Sequence, residues 1–526
     1  MGGSGVVRIL WLKRDLRLHD HSALDAALEA GSVLGVFVFE PSIWRAPDAD
    51  RRHFEFLRAS LEELRAAWLE RGGRLLVRVG ECPDVFDRLF DEFEASGVPA
   101  PEALVSHEET GNGLTFDRDR RVGRWCRARG LPWIEIPQNG VVRRLGNRDG
   151  WSRHWNRRMG ATPLPSPGRL PVPSGGERLE LGSMPEADSL GVAGAPIAGQ
   201  SGGERAGRES LESFLDHRGV DYRRAMSSPA TAFEACSRIS PHLAWGTLSL
   251  RLARREAEGR LAELRGLAVS GATDARRHAK SVESFLSRLR WHCHFMQKLE
   301  SEPAIEFRNM NRAFDGMRED FFETDEAKRR FEAWREGRTG YPMVDACMRC
   351  LHATGWINFR MRAMLASFSS HHLWLHWREP SVWLARQFVD YEPGIHYSQF
   401  QMQSGTTGIN TVRIYSPAKQ ARDHDPTGVF IRRWIPELEH VPDEFLADPS
   451  AMPPLTALMA GCEIGTDYPS PIVDHSTALR DAKDRLFAIR KSAAGRREAR
   501  RVYVAHGSRK GNRHRAAEDR NGAAGV

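Results

Sequence analysis

The central stretch of this 526-residue chain reads GRTGYPMVDACM at 337–348, GWINFRMR at 355–362, WRE at 377–379, DYEPGIHY at 390–397 and RIYSP at 413–417. Arg360 and Arg362 lie among apolar neighbours, and so do Asp390 and Glu392 further along. A buried charge without a partner is very costly. We therefore expect these charges to pair with each other or with a ligand, and the rest of the chain to support this stretch.

Length and composition bound the class of protein. A chain of 526 residues is too long for one hydrophobic core, which predicts two or three domains. No run approaches the roughly 20 apolar residues of a membrane span, and the opening MGGSG lacks the parts of a signal peptide. The seven cysteines are scattered and indicate no disulfide framework. We expect a cytoplasmic monomer with no membrane segment and no metal.

The formal net charge of +7 is concentrated in the C-terminal tail, 491–526. This tail contains ten lysines and arginines against three acids, which accounts for the whole excess. One interpretation is a disordered arm that adds salt-sensitive affinity for phosphate backbones. The alternative is a solubilising tail without a partner. The remainder of the chain is balanced, so a binding face there requires local segregation of charge.

Residues 1–136 predict an α/β domain with a doubly wound parallel sheet. Short apolar strands begin at Val6, Val33, Arg74, Ala103 and Trp133, and helical segments separate them. The clearest helix has apolar side chains at three- and four-residue spacing, at Phe54, Leu57, Leu61, Leu64 and Trp68. After the first strand the chain lacks a glycine-rich loop, which argues against the usual dinucleotide site.

The remaining chain is predicted to be a linker followed by helices. Residues 137–207 form the linker, because 161–207 is rich in Pro, Gly and Ser without a periodic pattern. From 208 to 490 the pattern is helical, which predicts a large all-α domain.

Three local motifs are ambiguous when taken alone. CSRIS at 236–240 precedes a helical run, so it could hold a phosphate or serve as an ordinary helix cap. HCH at 292–294 cannot jointly bind a metal, because adjacent residues point to different faces of a helix. CMRC at 347–350 has no second cysteine pair, which favours core cysteines.

Over about 6–489 the chain resembles the DNA photolyase and cryptochrome family. The resembling motifs occur in the family's order: WLKRDLRLHD at 11–20, SRISP at 237–241, TGYPMVDA at 339–346, WRE at 377–379 and FIRRWIPEL at 430–438. The resemblance implies an N-terminal antenna-type domain and a helical domain that buries FAD. In photolyases the excited reduced flavin donates an electron to a pyrimidine dimer in DNA, which splits and returns the electron.

The resemblance also implies which residues contact the phosphates of the flavin. These residues are Tyr222, Ser237, Arg238, Ile239 and Ser240.

A second set is implied for the flavin ring and its ribityl chain. Arg362 and Asp390 are expected to form an ion pair beside the isoalloxazine, with Asn358 and Glu392 nearby and His396 facing flavin N5. A reduced anionic flavin needs adjacent positive charge, which Arg362 supplies.

The lesion contacts follow the family's pattern only in part. Trp291 matches the tryptophan that stacks on the extruded dimer, although a packing role in a helix is the alternative, and Arg360 matches an arginine beside it. Arg288 replaces an acid that contacts the dimer bases, and Met402 replaces a second tryptophan. An asparagine near the lesion is replaced by Phe359.

Two further departures concern the reaction. The histidines typical of (6-4) repair fall at Phe359 and Ala363, which removes the usual acid–base groups of that repair. In the tryptophan chain that supplies electrons, Trp377 matches the middle member, but Phe400 and about Thr324 occupy the other two positions. Candidates for another route are Trp356, Trp374, Trp383, Tyr391 and Tyr397.

Three functions remain open at this point. Light-driven repair of pyrimidine dimers in UV-damaged DNA is favoured, with Trp377, His396 and Trp291 as catalytic residues and Arg288, Trp291, Arg360 and Met402 as DNA contacts. A blue-light photoreceptor of the cryptochrome type is the main rival. A flavin-containing DNA-binding protein without photochemistry is the third. The antenna chromophore could be a folate, a deazaflavin or nothing, with His107, Glu108 and Glu109 where folate-binding members place polar contacts.

Overall fold

The N-terminal domain contains a parallel β-sheet with helices on both faces. The computed structural model of the chain describes residues 6–29 and 31–508, and within them the sheet has five strands in the order β3-β2-β1-β4-β5. The strands are β1 (Val6–Leu12), β2 (Gly31–Phe39), β3 (Leu75–Val79), β4 (Ala103–His107) and β5 (Trp133–Ile136). The predicted doubly wound sheet is confirmed.

Five helices cover this sheet. They are α1 (Ser22–Leu28), α2 (Pro41–Trp44), α3 (Arg51–Glu70), α4 (Asp84–Ser96) and α5 (Gly113–Arg129). Alternate residues of β1 enter two separate cores, because successive side chains of a strand point to opposite faces. Leu10 and Leu12 pack in the core that includes α3, whereas Ile9 and Trp11 pack in the core that includes α4.

The segment predicted as a linker contains α6 (Trp151–Met159), which packs in a core of the helical domain, and its last four residues begin the next helix. Its middle part lies against the α/β domain. Leu170 belongs to the sheet core. The backbone N–H of Val33 donates to Pro171 O at 3.0 Å, and that of Val77 donates to Leu181 O at 2.7 Å. The segment therefore satisfies backbone groups of the sheet as it passes between the domains.

The rest of the described chain is helical. Its α-helices are α7 (Glu204–Asp216), α8 (Tyr222–Ala225), α9 (Pro229–Ala235), α10 (Ser240–Ala244), α11 (Leu250–Val269), α12 (Thr273–Ser301), α13 (Glu319–Phe322), α14 (Asp325–Glu336), α15 (Pro342–Thr354), α16 (Phe359–Ser367), α17 (Arg378–Gln387), α18 (Pro393–Gln403), α19 (Pro417–His424), α20 (Val429–Trp434), α21 (Asp443–Leu446), α22 (Pro454–Ala460), α23 (His475–Lys491) and α24 (Ala493–His506). The stretch 337–417 supplies α15 to α18, which form much of the largest core. Within the described residues, no helix is long and apolar enough to cross a membrane.

Helix α24 corrects the prediction of a disordered tail over 491–526. Val502 and His506 are buried, and His506 Nε2 lies 2.7 Å from Glu302 Oε2 on α12. Arg501 also pairs with Glu302. An apolar contact and an acidic partner therefore fix this part of the basic tail, which net charge alone did not indicate. The part of that prediction covering 509–526 lies outside the described residues.

Helix α3 joins the two domains through buried polar contacts. Arg52 Nη1 donates to Leu351 O at 3.2 Å and to Gln387 O at 2.9 Å, while its Nε lies 3.1 Å from Asp50 Oδ1. His53 Nε2 lies 2.8 Å from Phe388 O, and burial lowers the pKa of His53 to about 4. The carbonyls at the ends of α15 and α17 are thus satisfied by side chains of the α/β domain.

We expect Arg52→Ala to lower the free energy of unfolding by about 2–4 kcal/mol, because the Gln387 carbonyl loses this donor and the buried Asp50 carboxylate loses one of its two arginine partners. Arg51→Ala is the matched control. Arg51 pairs with Glu55 and with the largely exposed Asp188, so its loss should cost about 0–1 kcal/mol. Urea unfolding monitored by circular dichroism measures both variants. Equal losses would contradict a structural role for Arg52 at the interface.

Candidate functional site

The centre of the candidate site is a bidentate ion pair between Arg362 on α16 and Asp390 just before α18. The two guanidinium Nη atoms each lie 2.9 Å from one carboxylate oxygen. The Asp390 side chain is 4% exposed and the Arg362 side chain 24% exposed. Arg362 Nε donates to Ile357 O at 2.7 Å, and the guanidinium carbon lies 4.0 Å from the centre of the Phe388 ring. Two of the four charges noted in the sequence therefore pair with each other.

Arg238 forms a second cationic wall of the site. It has a left-handed backbone, with φ 59°, and its guanidinium lies 4.1 Å from the centre of the Trp356 ring. Burial lowers the pKa of Arg238 to about 10, although Asp390 opposes the shift. Its Nε is buried and has no hydrogen-bond partner among the described residues. Next to it, Ser240 Oγ accepts from Trp356 Nε1 at 3.4 Å, which brings these predicted phosphate contacts to Trp356.

Asn358 offers an acceptor to the same site. Its Nδ2 donates to Met226 O and Ser227 O, each at 3.0 Å, which fixes the orientation of the amide. Its Oδ1 is buried and has no partner in the part of the chain that the structure describes. A donor on a ligand could satisfy this atom.

The other predicted phosphate contacts lie on neighbouring turns. Tyr222 on α8 is buried against Phe214, with the ring centres 5.4 Å apart, and burial raises its pKa. Ser237 accepts through its backbone oxygen from Arg218 Nη2 at 3.4 Å. Ile239 is buried and immediately precedes α10, a helix of only five residues.

Glu392 pairs with His292, a contact that the sequence did not predict. The atoms His292 Nε2 and Glu392 Oε2 lie 2.8 Å apart. Burial disfavours the charged imidazole, but the carboxylate outweighs burial and raises the pKa of His292 to about 10. The imidazole of His292 therefore carries its proton at neutral pH. Spacing along the sequence could not reveal it, because α12 and the turn before α18 are far apart in the chain.

His396 lies on α18 beside the ion pair. Its Nε2 lies 2.7 Å from Ser381 O, and burial lowers its pKa to about 4, so the ring is neutral at pH 7. It donates from Nε2 and leaves Nδ1 as an acceptor. Trp377, the second predicted catalytic residue, is fully buried and donates from Nε1 to Asn309 Oδ1 at 2.8 Å.

Two large aromatic side chains near this site are exposed. Trp291 is 38% exposed and Phe359 is 50% exposed. In the chain, Trp291 directly precedes His292 on α12, and Phe359 directly follows Asn358. The Arg288 guanidinium lies 5.5 Å from the centre of the Trp291 ring. The Trp291 ring is therefore not buried, although its centre lies 5.8 Å from that of Phe295 on the same helix, and its stacking role stays a prediction.

The remaining predicted positions differ in exposure. Arg360 and Met402 are half-buried on α16 and α18, Ala363 and Phe400 are buried, and Thr324 is an exposed cap of α14. The substituted ends of the tryptophan chain are thus a buried phenylalanine and a surface threonine.

His107, in the predicted antenna motif, belongs to a closed network with Asp15 and His21. The ligand atoms of these three residues lie within 4.8 Å of one another. Backbone N–H groups donate to His107 Nε2 at 3.2 Å and to His21 Nδ1 at 3.0 Å. The other nitrogen of each ring carries the proton and faces Asp15 Oδ2 at 2.7 and 3.3 Å. With these hydrogen bonds, neither ring has a free lone pair for a metal.

A separate cavity lies between the two domains. It is lined by the rings of Trp44 and Trp245 and by the cationic side chains of Lys13, Arg14 and Arg118. The motif 107–109 contributes Glu109 to this wall, whereas Glu108 lines a neighbouring polar cavity together with His292 and Glu392.

Comparisons with known proteins agree with this arrangement. Residues 285–488 match the FAD binding domain of DNA photolyase, and residues 8–144 match DNA photolyase. A deoxyribodipyrimidine photo-lyase of Thermus thermophilus is 31% identical over 82% of this chain and 92% of its own length. A cryptochrome DASH of Gloeobacter violaceus is 27% identical over 90% and 95%. A class III photolyase structure from Agrobacterium tumefaciens has a TM-score of 0.77 at 26% identity and covers 94% of this chain and 99% of its own.

The helical domain is therefore an FAD-binding domain, and its residues fit this cofactor. The cation of Arg362 suits a reduced flavin, and the unpaired Asn358 Oδ1 and Arg238 Nε provide an acceptor and a donor for its polar groups. The expected cofactor is confirmed.

We expect Asp390→Asn to raise the FAD dissociation constant by roughly 10- to 100-fold, since a hydrogen bond to a charged group contributes about 1.5–3 kcal/mol. Without this carboxylate, Arg362 loses the partner that holds its orientation. Fluorescence titration of the apoprotein with FAD measures the constant. Asp443→Asn, which removes an exposed pair with Arg432, is the control and should bind FAD normally. Unchanged affinity in both variants would contradict the assignment of Asp390.

Proposed function

We propose that this chain, which belongs to the DNA photolyase and cryptochrome family, uses light to split UV-induced pyrimidine dimers in DNA. The observation that carries the proposal is the pair of exposed rings, Trp291 and Phe359, next to residues of the FAD site. Exposed aromatic side chains have unfavourable contact with water. A partner with flat apolar faces, such as a pyrimidine dimer, would cover them.

Binding of a dimer requires that it leaves the duplex. Extrusion of a damaged, poorly stacked pair costs less than extrusion of an intact one, which gives selectivity for lesions. Stacking on Trp291 is expected to return roughly 1–3 kcal/mol per base. Arg288 and Arg360 supply positive charge beside the rings, where the DNA backbone must pass.

The chain's own residues prepare the site for this chemistry. Reduced FAD, when bound and excited, supplies the electron that splits the dimer. Arg362, fixed by Asp390 and Ile357, places a permanent positive charge where negative charge is held. His396 is neutral and buried, so it adds no competing charge and keeps one nitrogen as an acceptor.

The rival function is that of a blue-light photoreceptor. Phe359 and Met402 replace family residues that contact the lesion, and Arg288 replaces an acid, so lesion contacts differ from those of the familiar repair enzymes. Cryptochrome DASH proteins are also among the relatives. A receptor would keep the Arg362 and Asp390 pair and would have no use for exposed rings beside it.

The cavity between the two domains is a candidate binding site for an antenna chromophore. Trp44 and Trp245, whose ring centres lie 6.4 Å apart, could contact a flat ligand such as a folate or a deazaflavin. Lys13 pairs with Glu109 and Asp119, and Arg118 pairs with Glu40 and Glu109, so the charges of this wall do not select an anion.

The direct test is repair of defined lesions. Chemically reduced holoprotein is incubated with oligonucleotides that carry a cyclobutane dimer or a (6-4) lesion, in blue light and in the dark. We expect loss of at least one lesion in the light only, measured by chromatography of the digested DNA. Complete retention of both lesions in the light, with the flavin reduced, would favour the receptor function.

We expect Trp291→Ala to weaken binding of dimer-containing DNA by roughly 5- to 100-fold, which corresponds to the loss of about 1–3 kcal/mol of stacking. Binding of undamaged DNA should change little, because it does not use the stack. Phe116→Ala removes another exposed aromatic on α5 and is the matched control. Fluorescence anisotropy measures all affinities, and equal losses on damaged and undamaged DNA would rule out a stacking role.

A further inference from the structure

Two buried tyrosines share hydrogen bonds with one carboxylate at the boundary between the domains. Tyr391 Oη donates to Asp48 Oδ2 at 2.6 Å, and the hydroxyl oxygens of Tyr391 and Tyr397 lie 3.2 Å apart. Because the single proton of Tyr391 goes to Asp48, Tyr397 must donate to Tyr391. Asp48 Oδ2 also accepts from Asn112 Nδ2 at 2.9 Å. Asp48, Tyr391 and Tyr397 are each at least nine-tenths buried.

The network adjoins the FAD site on its inner side. Tyr391 directly follows Asp390, and its ring centre lies 5.3 Å from that of His396. The Tyr397 ring lies 5.5 Å from His396 and 6.5 Å from Trp377. Aromatic side chains therefore form continuous contacts from Asp48 to the residues around the flavin.

We propose that Tyr391 is an electron donor to the light-excited oxidised flavin and that Asp48 accepts its phenolic proton. The proposal rests on FAD bound beside Arg362 and Asp390. It is independent of whether the chain repairs DNA or acts as a receptor, since either function can require photoreduction.

The step balances in electrons and protons. One electron leaves the phenol of Tyr391 and reduces FAD by one electron, while the O–H bond breaks and its proton moves to Asp48 Oδ2. A neutral tyrosyl radical and a neutral carboxylic acid remain. A soluble thiol then supplies one electron, Asp48 returns the proton, and Tyr391 is restored. Two oxidised thiols combine as a disulfide and release their protons to water.

Burial explains why the proton must leave together with the electron. Burial raises the pKa of both Tyr391 and Tyr397 above the usual value, so neither is present as a more easily oxidised phenolate. An oxidised phenol that kept its proton would be a cation in a low-dielectric interior, which is costly. Transfer to the Asp48 carboxylate avoids that charge.

The replacement at Phe400 leaves room for an electron donor other than the tryptophan chain. Phe400 occupies one end of the tryptophan chain, and its ring centre lies 5.9 Å from His396, yet phenylalanine is not readily oxidised. Trp377 is buried and hydrogen-bonded to Asn309, which gives it no contact with a base. Tyr391 has a base in hydrogen-bond contact.

The test uses holoprotein with oxidised FAD, illuminated with blue light in the presence of dithiothreitol. Transient absorption and electron paramagnetic resonance should detect a tyrosyl radical, whose formation slows in D₂O because a proton moves with the electron. Tyr391→Phe should abolish this radical. Asp48→Asn keeps the phenol and should slow radical formation by on the order of 100-fold, a typical contribution of a positioned base.

Tyr468→Phe is the matched control. Tyr468 is buried and donates to the Asp345 carboxylate at 2.5 Å, in a core region formed with α15. Its replacement removes the same chemistry elsewhere and should leave the radical unchanged. FAD content and thermal stability of every variant show whether folding is retained. If Tyr391→Phe fails to fold, the rate in Asp48→Asn and the isotope effect in the unsubstituted protein still decide.

The proposal is overturned by a tyrosyl radical that persists in Tyr391→Phe, by a tryptophan radical alone, or by an unchanged rate in Asp48→Asn. Repair by chemically reduced, unsubstituted protein is measured separately, because it needs no photoreduction. Absence of repair there contradicts the proposed function and leaves the result for Tyr391 standing.

Discussion

The ion pair between Arg362 and Asp390 is the interaction on which the site depends. Both charges would be costly alone in this environment, and the bidentate geometry compensates each of them. The pair also connects α16 to the turn that begins α18. Asn358 lies at the start of α16, and His396 lies in the first turn of α18. The pair therefore helps to hold the two helices, and with them the residues proposed to contact FAD, in fixed relative positions.

Polar and exposed aromatic side chains occupy different positions around this pair. Arg238 and Asn358 each keep a buried polar atom without a partner in the described part of the chain, while Glu392 is already paired with His292. Trp291 and Phe359 remain exposed at neighbouring positions. The α/β domain closes the inner side through Asp48, Arg52 and His53. Both domains therefore contribute residues around the ion pair, and the proposed function assigns the inner ones to the cofactor and the exposed rings to DNA.

The fold was largely predictable because local patterns determine it. The alternation of apolar strands with the periodic helix containing Phe54 and Leu61 predicted the sheet, and resemblance to a known family predicted the helical domain. Helix α24 was missed because Val502 alone gives little periodic signal in a strongly basic segment. Its order comes from Glu302, which lies on a distant helix.

The site was predictable only where charges are close in sequence or follow a family motif. The cost of burying charge predicted that these charges have partners, and the family resemblance predicted the specific pair of Arg362 and Asp390. The contacts of Glu392 with His292 and of Tyr391 with Asp48 could not be predicted, since their partners come from other elements or the other domain. The sequence contains many acidic residues such as Asp48, and only the fold shows which of them contacts Tyr391.

The central claim is that FAD lies against the Arg362 and Asp390 pair, with Trp291 and Phe359 outside it. An electron-density map of crystals grown with FAD tests this most directly. We expect density for the flavin ring in contact with Arg362 and Asp390, a hydrogen bond from the cofactor to Asn358 Oδ1, and a hydrogen bond from Arg238 Nε to the cofactor. Flavin density confined to the interdomain cavity beside Trp44 and Trp245, with the ion pair packed only against protein, would contradict the account.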